Sequence, residues 1–347
     1  MGNIFSTKLS FFFKSNTIRS NIENDIENNI ENEKNNPLLS SIDTDTLNVV
    51  SKPLDYDSIK SHLEEYGYVV IPNVFSESEI VEYKQHFFKW YEETPGVKPF
   101  HLAFEQNGIF KYFQVGHQRF SWLARANPKI IEIFKQLWDT DELVTSFDGC
   151  CYFPSNFTGE PNYWTHTDQS SSKKGKQCLQ SFLSLTDNEK RTFVVYEKTH
   201  NLHEKYFDEL NIRTTNDWHV LNEDYVDGIS SLKKTLHIKK GDLVVWDSRT
   251  FHQNTCGPPD ENGEERLVQY LCYLPRNCEK NTEEENEKRT ACFVQKMNTS
   301  HWPYPIVPVN PQPLWLKHYY NIDYEIDYND IPDVDLDDMK ETIESLL

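Results

Sequence analysis

The sequence predicts a mainly β domain, a sandwich or barrel with helices flanking it. Three observations carry this. Short apolar segments recur from about residue 143 onward, at 149–153, 163–168, 179–185, 192–196, 236–238, 243–246 and 267–274. Turn chemistry such as Lys240-Gly241-Asp242 separates several of them. No long helical patterns alternate with them, which argues against a layered α/β fold.

The elements before that run read differently. Residues 56–66 have helical spacing and stop at Gly67; Tyr68-Val69-Val70-Ile71 is then a short strand closed by Pro72. Ser76 or Ser78 suits the N-cap of a helix running toward Glu93, and Pro95 and Pro99 fall in the loop beyond it. A further helix is expected over 128–138, with Pro128 in its first turn. The polar insert 200–235 reads as a lid or substrate loop, and the charged stretch 279–289 as a solvated loop.

These signals divide the chain into an Asn/Glu-rich tether at 1–53, a globular domain at 54–309 and an acidic C-terminal extension at 310–347. In the tether Ile18, Ile22, Ile26 and Ile30 share a helical face, but one Ile per turn is too little apolar surface to hold an isolated helix, so disorder is expected.

Composition narrows the function classes. The formal net charge of -20 argues against nucleic acid as a partner, since phosphate backbones call for Lys and Arg. The seven cysteines include no C-x-x-C pair, which points away from a zinc knuckle or redox motif and toward small buried thiols in a reducing cytoplasm. No stretch approaches the twenty apolar residues of a membrane span, and the N-terminus lacks the apolar core of a signal peptide, so secretion is not expected.

The chemistry concentrates in Trp164-Thr165-His166-Thr167-Asp168. Strand residues two apart point to the same face, so His166 and Asp168 can converge inside a barrel. His252 offers a third ligand, and two histidines with one carboxylate make the facial triad of non-haem Fe(II) oxygenases, with three coordination positions left open. Arg266 follows fourteen residues after His252, at the head of the next strand. A hairpin there would bring its guanidinium back beside the distal ligand, where it can hold a carboxylate such as that of 2-oxoglutarate by two parallel hydrogen bonds. The alternative for Arg266 is a surface residue following Glu264 and Glu265.

From Tyr66 to about Pro303 the sequence resembles the phytanoyl-CoA dioxygenase family. The resemblance rests on the 67–76 segment, Ser146-Phe147-Asp148-Gly149, His166-Thr167-Asp168, the 241–252 segment and Thr299-Ser300-His301-Trp302-Pro303. It implies a double-stranded β-helix (a jelly roll, cupin-like barrel) using Fe(II), 2-oxoglutarate and dioxygen. His166, Asp168 and His252 would then be the iron ligands, Arg266 would bind the cosubstrate, and Asn254 would touch the same carboxylate. Tyr196-Glu197-Lys198-Thr199-His200 departs from the family's Pro-Gly-Ser-His turn at the substrate opening, so the substrate is not carried over. Halogenating relatives replace the acidic ligand by a small residue, whereas Asp168 keeps a full carboxylate, so C–H hydroxylation of a small molecule or lipid is expected. Two other readings stand beside this one: a cupin-like metal enzyme without 2-oxoglutarate, and a jelly-roll binding or structural protein without turnover.

Met1-Gly2-Asn3-Ile4-Phe5-Ser6 carries a separate signal, the pattern for N-myristoylation of Gly2. One such chain, helped by Lys8 and Lys14, would give reversible membrane association.

Overall fold

A computed structural model describes residues 54–105, 107–157, 163–257 and 263–347. The tether and its acylation signal lie outside the described residues.

The N-terminal elements follow from local chemistry. Helix α1 (Tyr56–Tyr66) is capped by the Asp55 carboxylate, which accepts from the Ser58 N–H, and ends at Gly67 with φ 84°. A side chain could not replace that glycine: a Cβ would lie 2.4 Å from His200 Nδ1 and 2.7 Å from Thr250 Oγ1. Strand β1 (Tyr68–Ile71) follows, then α2 (Glu77–Glu93), whose cap is Ser76 in a reciprocal box with Glu79. Next come α3 (Val97–Phe104), β2 (Ile109–Phe110), α4 (Arg119–Arg125) and α5 (Pro128–Trp138), the last capped by Asn127 with Pro128 in its first turn. Phe87, Trp90 and Tyr91 of α2 pack, mostly edge to face, at ring separations of 5.2 to 6.4 Å against Phe110, Phe120 and Tyr152, and this fixes the helices to the outer face of the larger sheet.

Strands β3 (Leu143–Thr145), β4 (Cys150–Phe153), β6 (Leu179–Ser184), β10 (Leu243–Asp247) and β12 (Arg266–Pro275) join β1 and β2 in a seven-stranded antiparallel sheet ordered β1-β10-β6-β12-β4-β2, with β3 paired to β12. A five-stranded sheet, ordered β8-β5-β11-β7-β9, is made of β5 (His166–Thr167), β7 (Phe193–Tyr196), β8 (His219–Val220), β9 (Lys233–Thr235) and β11 (His252–Asn254). The inner faces meet in one cluster: Tyr68, Phe153, Phe182, Val244, Trp246 and Val268 from the large sheet, Phe193 and Val195 from the small one. Each fully buried large apolar side chain contributes roughly 1.5–3 kcal/mol. Two antiparallel sheets facing each other across this core, with strands crossing between them, make the expected jelly roll.

Five expectations need correction. Pro99 lies not in a loop but in the first turn of α3 (Val97–Phe104). The stretch 279–289 is not a solvated loop: Thr282 caps α8 (Glu283–Val294), which buries Cys292 and Arg289. The Arg289 guanidinium donates to Asn281, Asn286 and the carbonyls of Pro303 and Leu347, so a charge that looks solvated in sequence is a buried brace. Residues 236–238 form no strand, and only an isolated bridge joins Ile238 to Asn188. The 163–168 strand is reduced to His166–Thr167. Arg266 is not returned by a hairpin beside β11, because β12 pairs with β3, β4 and β6 in the opposite sheet.

The 200–235 insert holds α6 (His203–Glu209), β8 and α7 (Glu223–Gly228) around its own cluster of Tyr206, Phe207, Leu221, Val226 and Phe251. Residues 310–347 carry α9 (Leu314–Tyr320) and α10 (Lys340–Leu346); Trp315 Nε1–H donates to Tyr112, and Arg276 donates to the Ser345 carbonyl.

Candidate active site

Backbone pairing places the first two imidazoles. His166 on β5 is the direct partner of His252 on β11. Residues opposite each other in an antiparallel pair project from the same face, so both rings enter the barrel. Asp168, two residues after His166, points the same way, and its backbone N–H is tied to the Ser248 carbonyl at 3.0 Å. The histidine, aspartate and histidine are all buried, and their potential ligand atoms lie within 4.8 Å of one another. Asp168 Oδ2 is 3.6 Å from His166 Nε2 and 3.2 Å from His252 Nε2.

Hydrogen bonds at the far side of each ring set the tautomers. His166 Nδ1–H donates to the Trp164 carbonyl at 2.9 Å, and His252 Nδ1–H to the Thr250 carbonyl at 2.8 Å. Each Nε2 is thereby turned toward Asp168. Burial, and then the neighbouring His166, push the His252 imidazole below its usual range, against the opposing pull of Asp168. Burial alone would raise the Asp168 carboxyl; His166 and His252 outweigh it and hold the group well below the usual carboxylate range. Gln180 on β6 donates from Nε2 to Asp168 Oδ2 at 3.0 Å and orients the carboxylate.

This donor set fits one divalent ion. Two donors about 2.1 Å from an ion and at right angles are about 3 Å apart, close to both carboxylate–imidazole separations. Two imidazoles and one carboxylate leave one side of such an ion to other ligands.

Arg266 enters from the opposite sheet. It is fully buried, which removes the surface alternative, and its guanidinium lies 5.3 Å from the Phe182 ring. Nη2 donates to Asn254 Oδ1 at 2.8 Å, and Asn254 Nδ2 donates to the Tyr270 hydroxyl at 2.9 Å. Nη1 makes one long contact of 3.4 Å to the Arg191 carbonyl, while Nε is buried without a hydrogen-bond partner. No carboxylate pairs with this guanidinium among the described residues. A buried cation with an orphaned donor is costly alone and is suited to a ligand carboxylate. These residues therefore fit 2-oxoglutarate as well as the triad fits iron.

The site also contains residues that the sequence analysis did not single out. Trp164 stacks on His166 with centroids 4.9 Å apart and donates from Nε1 to the Asn254 carbonyl at 2.9 Å, linking the triad to the Arg266–Asn254 pair. Phe193 and Trp246 pack on His252 at 5.2 and 5.3 Å. Gln180 and Tyr270 add polar contacts to Asp168 and Asn254. The short run ahead of His166 could have revealed Trp164; the roles of Gln180 and Tyr270 depend on pairings made across the barrel.

The family model described as phytanoyl-CoA dioxygenase matches residues 63–255. A curated relative, Ava biosynthesis cluster protein O of Aspergillus versicolor, is 26% identical over 303 residues, covering 78% of this chain and 94% of the relative. Similar solved structures include the epimerase SnoN in complex with Fe3+, alpha ketoglutarate and nogalamycin RO, at 16% identity and TM-score 0.46, covering 65% of this chain and 85% of that one. Another is EctD from S. alaskensis with 2-oxoglutarate and 5-hydroxyectoine, at 15% identity and TM-score 0.45, covering 69% and 81%. The match of the family model over more than half of the sequence, joined to a barrel with a metal-capable triad, shows that the chain belongs to the phytanoyl-CoA dioxygenase family of Fe(II)- and 2-oxoglutarate-dependent oxygenases.

Proposed function

We propose that His166, Asp168 and His252 hold a single Fe(II), that Arg266 and Asn254 hold the distal carboxylate of 2-oxoglutarate, and that the protein hydroxylates a C–H bond of a small-molecule or lipid substrate. The observation that carries this reading is the pair of imidazoles whose Nδ1–H groups are tied to backbone carbonyls while both Nε2 atoms face Asp168. When bound, iron and 2-oxoglutarate supply the activation of dioxygen, with succinate and carbon dioxide as co-products.

The chain's own residues do the positioning. Asp168 contributes the negative charge that balances a divalent ion, and Gln180 keeps its carboxylate turned toward the imidazoles. The guanidinium of Arg266 provides a fixed, always-charged fork, and Asn254 holds that fork in place through its Oδ1. Phe182, Phe193 and Trp246 wall the interior and exclude water from the reacting centre. With Asp168 as a ligand, the position that a halide would need would be taken, which favours hydroxylation over halogenation.

The test is succinate release from 2-oxoglutarate on presentation of substrate pools. Activity that depends on added Fe(II) and is lost in His252→Ala is the expected result. Turnover without 2-oxoglutarate would favour the cupin-like alternative.

Gly2 acylation with reversible membrane association, in a reducing cytoplasm, also belongs to this proposal. It is supported by the M-G-x-x-x-[ST] pattern at the N-terminus.

A further inference from the structure

Strand β8 carries a feature that the triad does not use. His166 pairs with Val220 and Thr167 with His219. Continuing that register puts Trp218 opposite Asp168. Cross-strand partners share a face, so Val220 and Trp218 lie on the same face of the small sheet as the candidate metal ligands. Inner-face residues of a barrel are normally covered, yet Trp218 is 50% exposed and Val220 36% exposed. The Trp218 ring is 6.1 Å from His166, centroid to centroid.

This surface is held in place. Asp217 accepts the Ser170 backbone N–H at 3.0 Å and Lys173 Nζ at 2.6 Å, which binds the residue before Trp218 to the segment after Asp168. The Trp218 backbone N–H donates to Asn216 Oδ1 at 3.3 Å. An indole half uncovered, on backbone tied to the segment after Asp168 and beside a metal-capable centre, is a contact surface.

We infer that Trp218 and Val220 form the platform on which the substrate lies, and that the substrate presents a flat, apolar ring to it. The inference rests on the proposed iron site, which places the reacting centre beside this face. The ring is favoured over an acyl chain because the half-uncovered residue is aromatic, and a rigid planar partner packs on an indole with little loss of conformational freedom. An anionic substrate is disfavoured: the chain carries a net charge of -20, and Lys173 is already committed to Asp217 and to the Trp302 ring.

The experiment uses the full chain and three probes: indole as a flat apolar ring, n-octanol as a neutral chain, and decanoate as an anionic chain. Ligand-observed NMR gives affinities for wild type, Trp218→Ala, Trp218→Phe and Val220→Ser. Indole is expected to bind tightest, about tenfold weaker in Trp218→Ala and within about threefold of wild type in Trp218→Phe. Equal indole affinity in wild type and Trp218→Ala, or preference for either chain probe, would overturn the platform. Electron paramagnetic resonance of Mn(II) added to the same samples tests the iron site separately. Bound Mn(II) should broaden the indole resonances in wild type, and broadening that is absent while Mn(II) is bound would remove the platform from the metal's neighbourhood. Failure to bind Mn(II) would count against the metal assignment instead.

Discussion

Replacing Arg266 by Met separates a cosubstrate clamp from a structural brace. In the structure the guanidinium is fully buried, with one short hydrogen bond to Asn254, one long one to the Arg191 carbonyl and an unpartnered Nε. If its remaining donors receive a carboxylate, two charge-assisted hydrogen bonds at about 1.5–3 kcal/mol each disappear in Arg266→Met, or about 3–6 kcal/mol together. Affinity for 2-oxoglutarate then falls by about 10²–10⁴-fold. The fold responds differently. The substitution leaves Asn254 Oδ1 without its donor, at a cost of about 1–3 kcal/mol, but it also removes an uncompensated buried charge, which offsets a comparable amount. The unfolding free energy without ligand is therefore expected to stay within about 2 kcal/mol of wild type. The assay is anaerobic calorimetric titration of 2-oxoglutarate into Mn(II)-loaded protein, together with chemical denaturation with and without the oxoacid. At one hundred times its Kd the ligand should stabilise wild type by about 2.7 kcal/mol, and the variant negligibly at the same concentration. Unchanged titration in Arg266→Met would refute the reasoning, as would a ligand-free protein several kcal/mol less stable that still binds normally.

Further outcomes are expected elsewhere. Gln180→Leu frees the Asp168 carboxylate from its Gln180 side-chain donor and should weaken metal binding about 10- to 100-fold by titration, with little change in melting. His101 is buried, donates to the Tyr152 carbonyl and accepts from the Tyr91 hydroxyl, and burial pushes its imidazole down to about 4. Because the unfolded chain binds this proton more readily, stability falls as pH drops from about 6.5 toward 4, by about 3 kcal/mol for this group; denaturation curves of His101→Gln should show a shallower loss. Protein made alongside an active N-myristoyltransferase should gain one myristoyl mass that Gly2→Ala lacks; an unmodified N-terminus would remove the membrane role.

The legible parts of this protein were those whose logic is local. His166 and Asp168 stand two apart, Ser76 stands three before Glu79, and Pro128 follows a capping Asn127; each relation is visible over a few residues. Arg266 was readable as a candidate from strand order, but its route into the site was not, because β12 reaches the Arg266–Asn254 contact from the opposite sheet. Gln180 and Trp218 were illegible for the same reason, since their roles depend on cross-strand register between segments far apart in sequence. Residues 279–289 misled in another way. Three glutamates after Thr282 read as solvated, yet acidic residues in a first helical turn are stabilised by the helix dipole, and the same stretch ends in the buried Arg289.

The central claim is that one Fe(II) sits on His166, Asp168 and His252 with 2-oxoglutarate reaching Arg266. It is tested most directly by anomalous diffraction from anaerobic crystals grown with Fe(II) and 2-oxoglutarate. The account predicts one iron peak about 2.0–2.3 Å from Nε2 of both histidines and from an Asp168 carboxylate oxygen, with the distal carboxylate of the oxoacid on the Arg266 guanidinium. Iron bound at other residues, or 2-oxoglutarate ordered away from Arg266, would contradict it.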